Sequence, residues 1–437
     1  MDLNPQKVTG CLTGMAIGDA MGRGINGLKP EAIRQIFGIV DDYKDLRNVV
    51  GKGIKNYRMQ GLYGAPVQCA LAVCDGILTN KKKFLEETVK NFKKLAKGGP
   101  ENYYGTFRSS EGCLWKAVDL MDGRSLKEPT PLNSATGLFA FLSTPLALFY
   151  KKWSKTLAEQ CLQMALAFSS HPLEVVGALL NGFLVTRFLA MEESELISQR
   201  KDILEEAEEI CLQAESEYQK RLDIFGCETI EKYKNAFSNT IQTLIVQIEK
   251  PEKEVLQWIV ENANGFSKRE IRHASQGFVL SLFPLALYWV FNCEKDFSLV
   301  SILKQGRETE KLGGLLGAWT GAIKGTQTIP ENLKTNLVNG HEIRLRGEAL
   351  YLRKMKKDAK PLVDMEMALT IKEAEEAKRY KPKEPKKIIK PVVTIDYWGE
   401  EQDIVPSKED RAEWRKFQKE KTKSKRNRRK NLPDDFF

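Results

Sequence analysis

Two stretches of small residues constrain this chain more than anything else in it. Val8 to Gly22 reads VTGCLTGMAIGDAMG, with Gly10, Gly14 and Gly18 four residues apart and Ala16 and Ala20 among them. Gly306 to Ala322 reads GRETEKLGGLLGAWTGA, a short polar loop running into Gly313, Gly314, Gly317, Ala318, Gly321 and Ala322. Glycine costs a solvated helix about 1 kcal/mol per residue relative to alanine. So many of them make sense only where other backbone approaches very closely. The two stretches are expected to be small-faced helices of one kind, the second buried at the centre of the fold. It starts with two carboxylates, Glu308 and Glu310, which suit the positive end of a helix dipole. Loops of this kind often hold a cation or a polar ligand.

The rest of the chain reads as helices at 3.6-residue spacing. Expected helices are Pro30–Phe37, the run opened by Gly64-Ala65-Pro66, Lys81–Lys97, Glu111–Leu120, Asn133–Leu148, Thr156–Ser169 and Leu173–Leu189. Glu192 to Gln219 is strongly charged and reads as a surface helix or helical insertion, within residues 192–223. Further helices are expected at 228–249, 251–262 and 274–291, with Pro284 kinking or bounding the last, and a short one follows Ile329-Pro330-Glu331. Strand signals are nearly absent; VVTIDYW at 392–398 is the β-looking run. The reading is an all-α body over 1–350, then a basic, largely irregular extension over 351–437 with a charged helix near 363–379.

Charge supports that division. Residues 351–437 carry 25 Lys+Arg against 17 Asp+Glu, a net of +8 out of the chain's +10, so the body is near neutral. A basic extension suits nucleic acid or an acidic protein, and Trp398, Trp414 and Phe417 offer aromatic docking points. Eight cysteines are scattered without a CxxC pair. They point away from a zinc site and toward reduced, buried thiols in a cytoplasmic setting. No window reaches about 18 uninterrupted apolar residues, so no membrane partner is expected. MDLNPQKVTG lacks the charged-then-apolar pattern of a secretion signal.

These motifs resemble the ADP-ribosylglycohydrolase family, all-α hydrolases with a paired magnesium site that remove ADP-ribose from arginine, serine or related acceptors. The resemblance runs through most of residues 8–340 and implies the compact orthogonal helical fold of that family. GMAIGDAMG matches the family's Gly-rich helix and Gly-Asp-Ala-Leu-Gly, with Asp19 intact. YGAPVQCAL at 63–71 stands where the family has Tyr-Thr-Asp-Asp-Thr-Gln-Met-Ala-Leu. GRETEK stands where it has Gly-Gly-Asp-Thr-Asp-Thr. SHPLE at 170–174, PLAL at 145–148, FPLALYWV at 283–290 and IPENL at 329–333 follow in family order.

The departures fall on the chemistry. The family's Thr-Asp-Asp-Thr positions are Gly64, Ala65, Pro66 and Val67, which offer no side-chain oxygen to a hard cation. The position of its catalytic Glu is Asn26, which cannot act as a general base. Its Asp-x-Asp pair has become Glu308 and Glu310, each longer by a methylene, flanked by Arg307 and Lys311. An ammonium and a guanidinium in sequence with the two acids would satisfy them without metal. No catalytic residue and no metal ligand is therefore assigned.

Asp19, Asn26, Gly64, Ala65, Ser134, Glu308, Glu310 and Lys311 are the residues expected to line a ligand cleft. Plainer roles stand beside this one. Asp19 would serve equally as a cap, Glu308 and Glu310 as helix-start charge, and Asn133, Ser134 and Thr136 as the cap of the next helix. His171 and His273 read as structural. The expected function is a catalytically inactive pseudoenzyme that binds an ADP-ribose-like molecule or a partner macromolecule. An active hydrolase with a rearranged, magnesium-dependent or metal-independent site is one alternative. A nucleic-acid partner acting through the basic extension is another.

Overall fold

A computed structural model describes residues 3–380, apart from 52–53, 55, 110, 227–230 and 293–298. Among these residues there is no β-strand, only two isolated bridges, Val50 with Ile54 and Tyr104 with Phe107. The β-looking run at 392–398 and the low-complexity basic segment lie outside the described residues.

The helices follow in order. α1 (Pro5–Ile25) is capped by the Asn4 side chain and has Pro5 at its first position. α2 (Pro30–Phe37), α3 (Ala65–Thr79), α4 (Phe84–Leu95) and α5 (Gly112–Asp119) come next. α6 (Ser143–Tyr150), α7 (Lys155–Phe168) and α8 (Pro172–Ala190) form the apolar middle of the chain. α9 (Arg200–Ile224), α10 (Ala236–Gln247), α11 (Glu252–Phe266), α12 (Val279–Asn292) and α13 (Val300–Leu303) lead to α14 (Thr309–Lys324). α15 (Glu331–Asn336), α16 (Gly340–Leu352) and α17 (Leu362–Arg379) complete the set.

α1 and α14 cross antiparallel with almost nothing between their backbones. A β-carbon on Gly18 would stand 1.9 Å from the carbonyl oxygen of Gly313. One on Gly317 would stand 2.1 Å from that of Gly14, and one on Gly321 2.1 Å from that of Gly10. The register advances four residues on one helix as it retreats four on the other. The close backbone approach that each small face implies is supplied by the other helix. It spends the glycines' helix propensity on close packing.

α8 is long and apolar enough to cross a membrane by length and composition, but 89% of its apolar window is buried inside the fold. Its Asn181 donates to the carbonyl of Ala140 at 3.0 Å and accepts from the indole of Trp319 at 2.9 Å, tying α8 to α14. The six cysteines among the described residues are free thiols.

Several boundaries differ from the sequence reading. The Asn133–Leu148 stretch is a loop as far as Gly137. The Glu174 carboxylate takes the Gly137 and Phe139 N–H groups, both at 2.7 Å, and Gly137 has φ +77°. α9 begins at Arg200 after a short 3-10 turn at Glu193–Glu195. α12 begins at Val279 and runs on through Pro284, which does not end it. Buried packing also continues past residue 350: α17 turns Glu366, Thr370 and Glu373 into the body.

Candidate functional site

The α1–α14 register brings the C-terminal end of α1 against the N-terminal end of α14, and the start of α3 closes the third side. Thr309 Oγ1 donates to the Gly22 carbonyl at 2.8 Å, and the Arg307 N–H donates to the Leu28 carbonyl at 2.9 Å. Arg307 itself has φ +60° and Gly306 +69°, so the loop before α14 folds tightly over the loop after α1.

Asp19 is fully buried here. Its carboxylate accepts the N–H groups of Gly64 at 2.7 Å and Val67 at 3.1 Å, and so caps α3 from another helix. α3 has need of it, since Gly64 at the cap position has no side chain to do the work. Burial pushes the Asp19 carboxyl up to about 7, although these two N–H bonds and the charges of Arg23 and Arg108 act against the rise.

Glu310 stands in the first turn of α14 and is 4% exposed. Its carboxylate occupies the space a side chain at position 64 would need: a β-carbon on Gly64 would lie 1.7 Å from Glu310 Oε1 and 3.2 Å from Arg23 Cδ. Oε1 accepts no hydrogen bond from the described residues. Burial and the neighbouring charge of Asp19 hold the Glu310 carboxyl well above the usual range, with Arg23 and Arg58 pulling it back. Asn26, just past α1, accepts the Glu310 N–H through Oδ1 at 3.4 Å.

Lys311 is 2% exposed, with its ammonium in the middle of an acidic group. It donates to Glu111 Oε1 at 2.7 Å and to the Thr136 carbonyl at 3.0 Å, and pairs with Glu308 Oε2 at 3.0 Å. Burial lowers its pKa, but Glu111 and Glu308 more than offset this and raise it above the ordinary lysine value. Arg307, the other cation expected beside the acids, meets the His273 ring, Nη2 to Nε2 at 3.0 Å. Of the eight expected residues, Asp19, Asn26, Gly64, Ala65, Glu308, Glu310 and Lys311 belong to these three converging helix ends. Ser134 is bonded elsewhere: Ser169 Oγ accepts its N–H at 3.2 Å and donates to its carbonyl at 2.7 Å. Thr136, two residues on, reaches the site through its carbonyl.

Sequence reasoning missed Glu111, Arg23 and Arg108. Arg23 Nη1 and Nη2 pair with Glu373 of α17 at 2.6 and 2.8 Å, and Arg108 Nη2 pairs with Glu366 at 2.6 Å. All four side chains are at most 3% exposed.

The sequence model of the ADP-ribosylglycohydrolase family matches residues 2–360. No curated protein matches the chain. A solved chain titled "ADP-ribosylglycohydrolase-related protein complex" is 16% identical with a TM-score of 0.54, covering 81% of this chain and 100% of its own. At that identity the likeness shows the fold alone. The chain belongs to the ADP-ribosylglycohydrolase family. Its residues do not fit the magnesium pair the family implies. Gly64, Ala65, Pro66 and Val67 bring no side-chain oxygen, each Asp19 oxygen already accepts a backbone N–H, and an ammonium lies between Glu111 and Glu308. Among the described residues no group of three or more His, Cys, Asp and Glu is placed to hold a metal ion.

Proposed function

We propose that this chain is a catalytically silent member of its family, a binding or scaffold protein that keeps the helical frame and a cleft for an ADP-ribose-like ligand. The observation that carries the reading is Lys311. A buried ammonium bonded to Glu308 and Glu111 supplies the positive charge that clustered carboxylates otherwise draw from divalent ions. Of the remaining acids, Asp19 caps α3, and Glu310, whose Oε1 has no hydrogen-bond partner among the described residues, fills the space over Gly64. Asn26 at the general-base position bonds the α14 backbone. Free buried thiols suit a reducing, cytoplasmic setting. The test is release of ADP-ribose from an ADP-ribosylated protein with magnesium added. No turnover above the blank is expected. Turnover that Glu308→Gln abolishes would make the chain a working hydrolase.

The charge of the C-terminal segment supports a second reading, contact with nucleic acid or an acidic protein. Residues 381–437 carry 17 Lys+Arg against 11 Asp+Glu. Truncation after Tyr380, which leaves α17 in place, is expected to remove salt-sensitive RNA or DNA binding. Unchanged binding would remove this reading.

A further inference from the structure

α17 lies beyond the residues that the family model matches, yet it is bonded to the rim of the site. Glu366, Thr370 and Glu373 fall four and seven residues apart, on one stripe of the helix. Each carboxylate enters a ready-made set of donors. Glu373 Oε1 accepts from Arg23 Nη1 at 2.6 Å and the Met59 N–H at 2.8 Å, and Oε2 from Arg23 Nη2 at 2.8 Å and the Tyr103 hydroxyl at 3.1 Å. Glu366 Oε1 accepts from the Tyr63 hydroxyl at 2.5 Å, and Oε2 from Gln68 Nε2 at 2.7 Å and Arg108 Nη2 at 2.6 Å. Thr370 Oγ1 accepts from Arg108 Nη1 at 2.9 Å.

We propose that Arg23 and Arg108, with these neutral donors, form an anion-recognition site for a phosphate-bearing ligand, and that α17 occupies it in cis. The Glu373 and Glu366 carboxylates then stand where phosphoryl oxygens bind. Guanidinium forks take carboxylate and phosphate oxygens with the same planar, two-pronged geometry. Every donor named here belongs to the body and none to α17, so the donor set does not depend on the helix for its members.

The way α17 is attached fits an occupant that can be displaced. Its buried apolar side chains are only Leu362, Met365 and Ala374, the first two in its opening turn. Past that turn its buried side chains are Glu366, Thr370, Glu373 and Ala374, the Tyr57 hydroxyl donates to Glu376 at 2.7 Å and the Tyr380 ring packs on Tyr57; the buried bonds are polar ones that a competing anion can replace. The approach to it is anchored separately: the Lys360 N–H donates to Glu342 at 3.0 Å and its carbonyl accepts from Arg346 at 2.9 Å. Release of α17 therefore leaves α16 in place.

The inference rests on the cleft being a ligand cleft and is indifferent to catalysis. Its test is hydrogen exchange on the full chain titrated with inorganic pyrophosphate, together with calorimetry on the Glu366→Gln/Glu373→Gln variant. Amides of residues 366–379 are expected to exchange at least tenfold faster at saturating pyrophosphate while α1 and α14 stay protected. The double variant is expected to bind pyrophosphate at least tenfold more tightly than the wild type. If that variant does not fold, the wild-type exchange result decides. Unchanged α17 protection at saturating pyrophosphate overturns the inference. ADP-ribose binding with α17 still protected overturns it too, while leaving the ligand-cleft reading intact. Failure of both wild type and a folded double variant to bind either compound removes both.

Discussion

The carboxylate of Glu310 lies over the α-carbon of Gly64, in the volume a side chain at position 64 would fill. One position has no side chain, and the other has a methylene more than the aspartate of the family pattern. Each change makes sense of the other. Gly64→Ala is expected to cost about 1–3 kcal/mol, because the crowded atom is a buried carboxylate backed by Arg23. Adding Glu310→Asp, which draws the carboxylate back by one methylene, is expected to recover at least about 0.5 kcal/mol of that loss as a coupling energy in urea unfolding. Strictly additive losses would mean the two positions do not share the space.

Asp19 gives a pH dependence with a definite sign. Its carboxyl is raised by burial to about 7 in the native state, whereas in the unfolded chain an aspartate ionises near ~3.9. Below that lower value the contribution is fully present. As pH rises toward 7 the unfolded state releases a proton that the native state keeps, so the contribution is lost. Asp19→Asn keeps the shape but turns a donor toward one of the two capped N–H groups, and is expected to cost roughly 1–3 kcal/mol at pH 5. The gap between wild type and variant is expected to narrow by pH 8 in thermal unfolding. A gap that widens with pH would show Asp19 to be an ionised, salt-bridge-like carboxylate.

Lys311 is expected to be costly to remove. Lys311→Met leaves Glu308 and Glu111 facing one another without their shared ammonium, and loss of one partner of a buried ion pair typically costs about 3–5 kcal/mol. Glu111 is partly open to solvent, at 27% exposure of its side chain, which places the expectation at the lower end. Glu308→Gln in the same chain is expected to return part of the loss. Denaturant midpoints for the four variants of this cycle check it.

The backbone contact between α1 and α14 predicts a contrast between two alanine substitutions. Gly18→Ala drives a methyl into the Gly313 carbonyl, and is expected to cost about 3 kcal/mol or more because backbone cannot swing aside. Gly265→Ala, in exposed helix with no atom within 4 Å of the new carbon, is expected to stabilise by about 0.5–1 kcal/mol. Equal effects at the two positions would deny the close crossing.

What the sequence showed follows from which interactions are local. The small faces at Gly10, Gly14 and Gly18 and at Gly313, Gly317 and Gly321 are legible, because their glycines have a helix cost that only close packing explains; that the two faces meet each other is not. The Lys311–Glu308 pair was legible as neighbours on one turn, but Glu111, which shares the same ammonium, comes from 200 residues away. The sequence offers only a generic capping role for Asp19, since the N–H groups it serves lie 45 and 48 residues along the chain. α17 was legible as a charged helix, but Glu366 and Glu373 look no different in sequence from Glu375. Only packing shows that the first two are buried and the last exposed.

Calorimetric titration of the full chain with manganese tests the central claim most directly. The account predicts no saturable binding in the micromolar to millimolar range and no change when Glu310 is replaced by glutamine. Stoichiometric binding that Asp19→Asn or Glu310→Gln abolishes would contradict it and put a working metal centre at the junction of α1, α3 and α14.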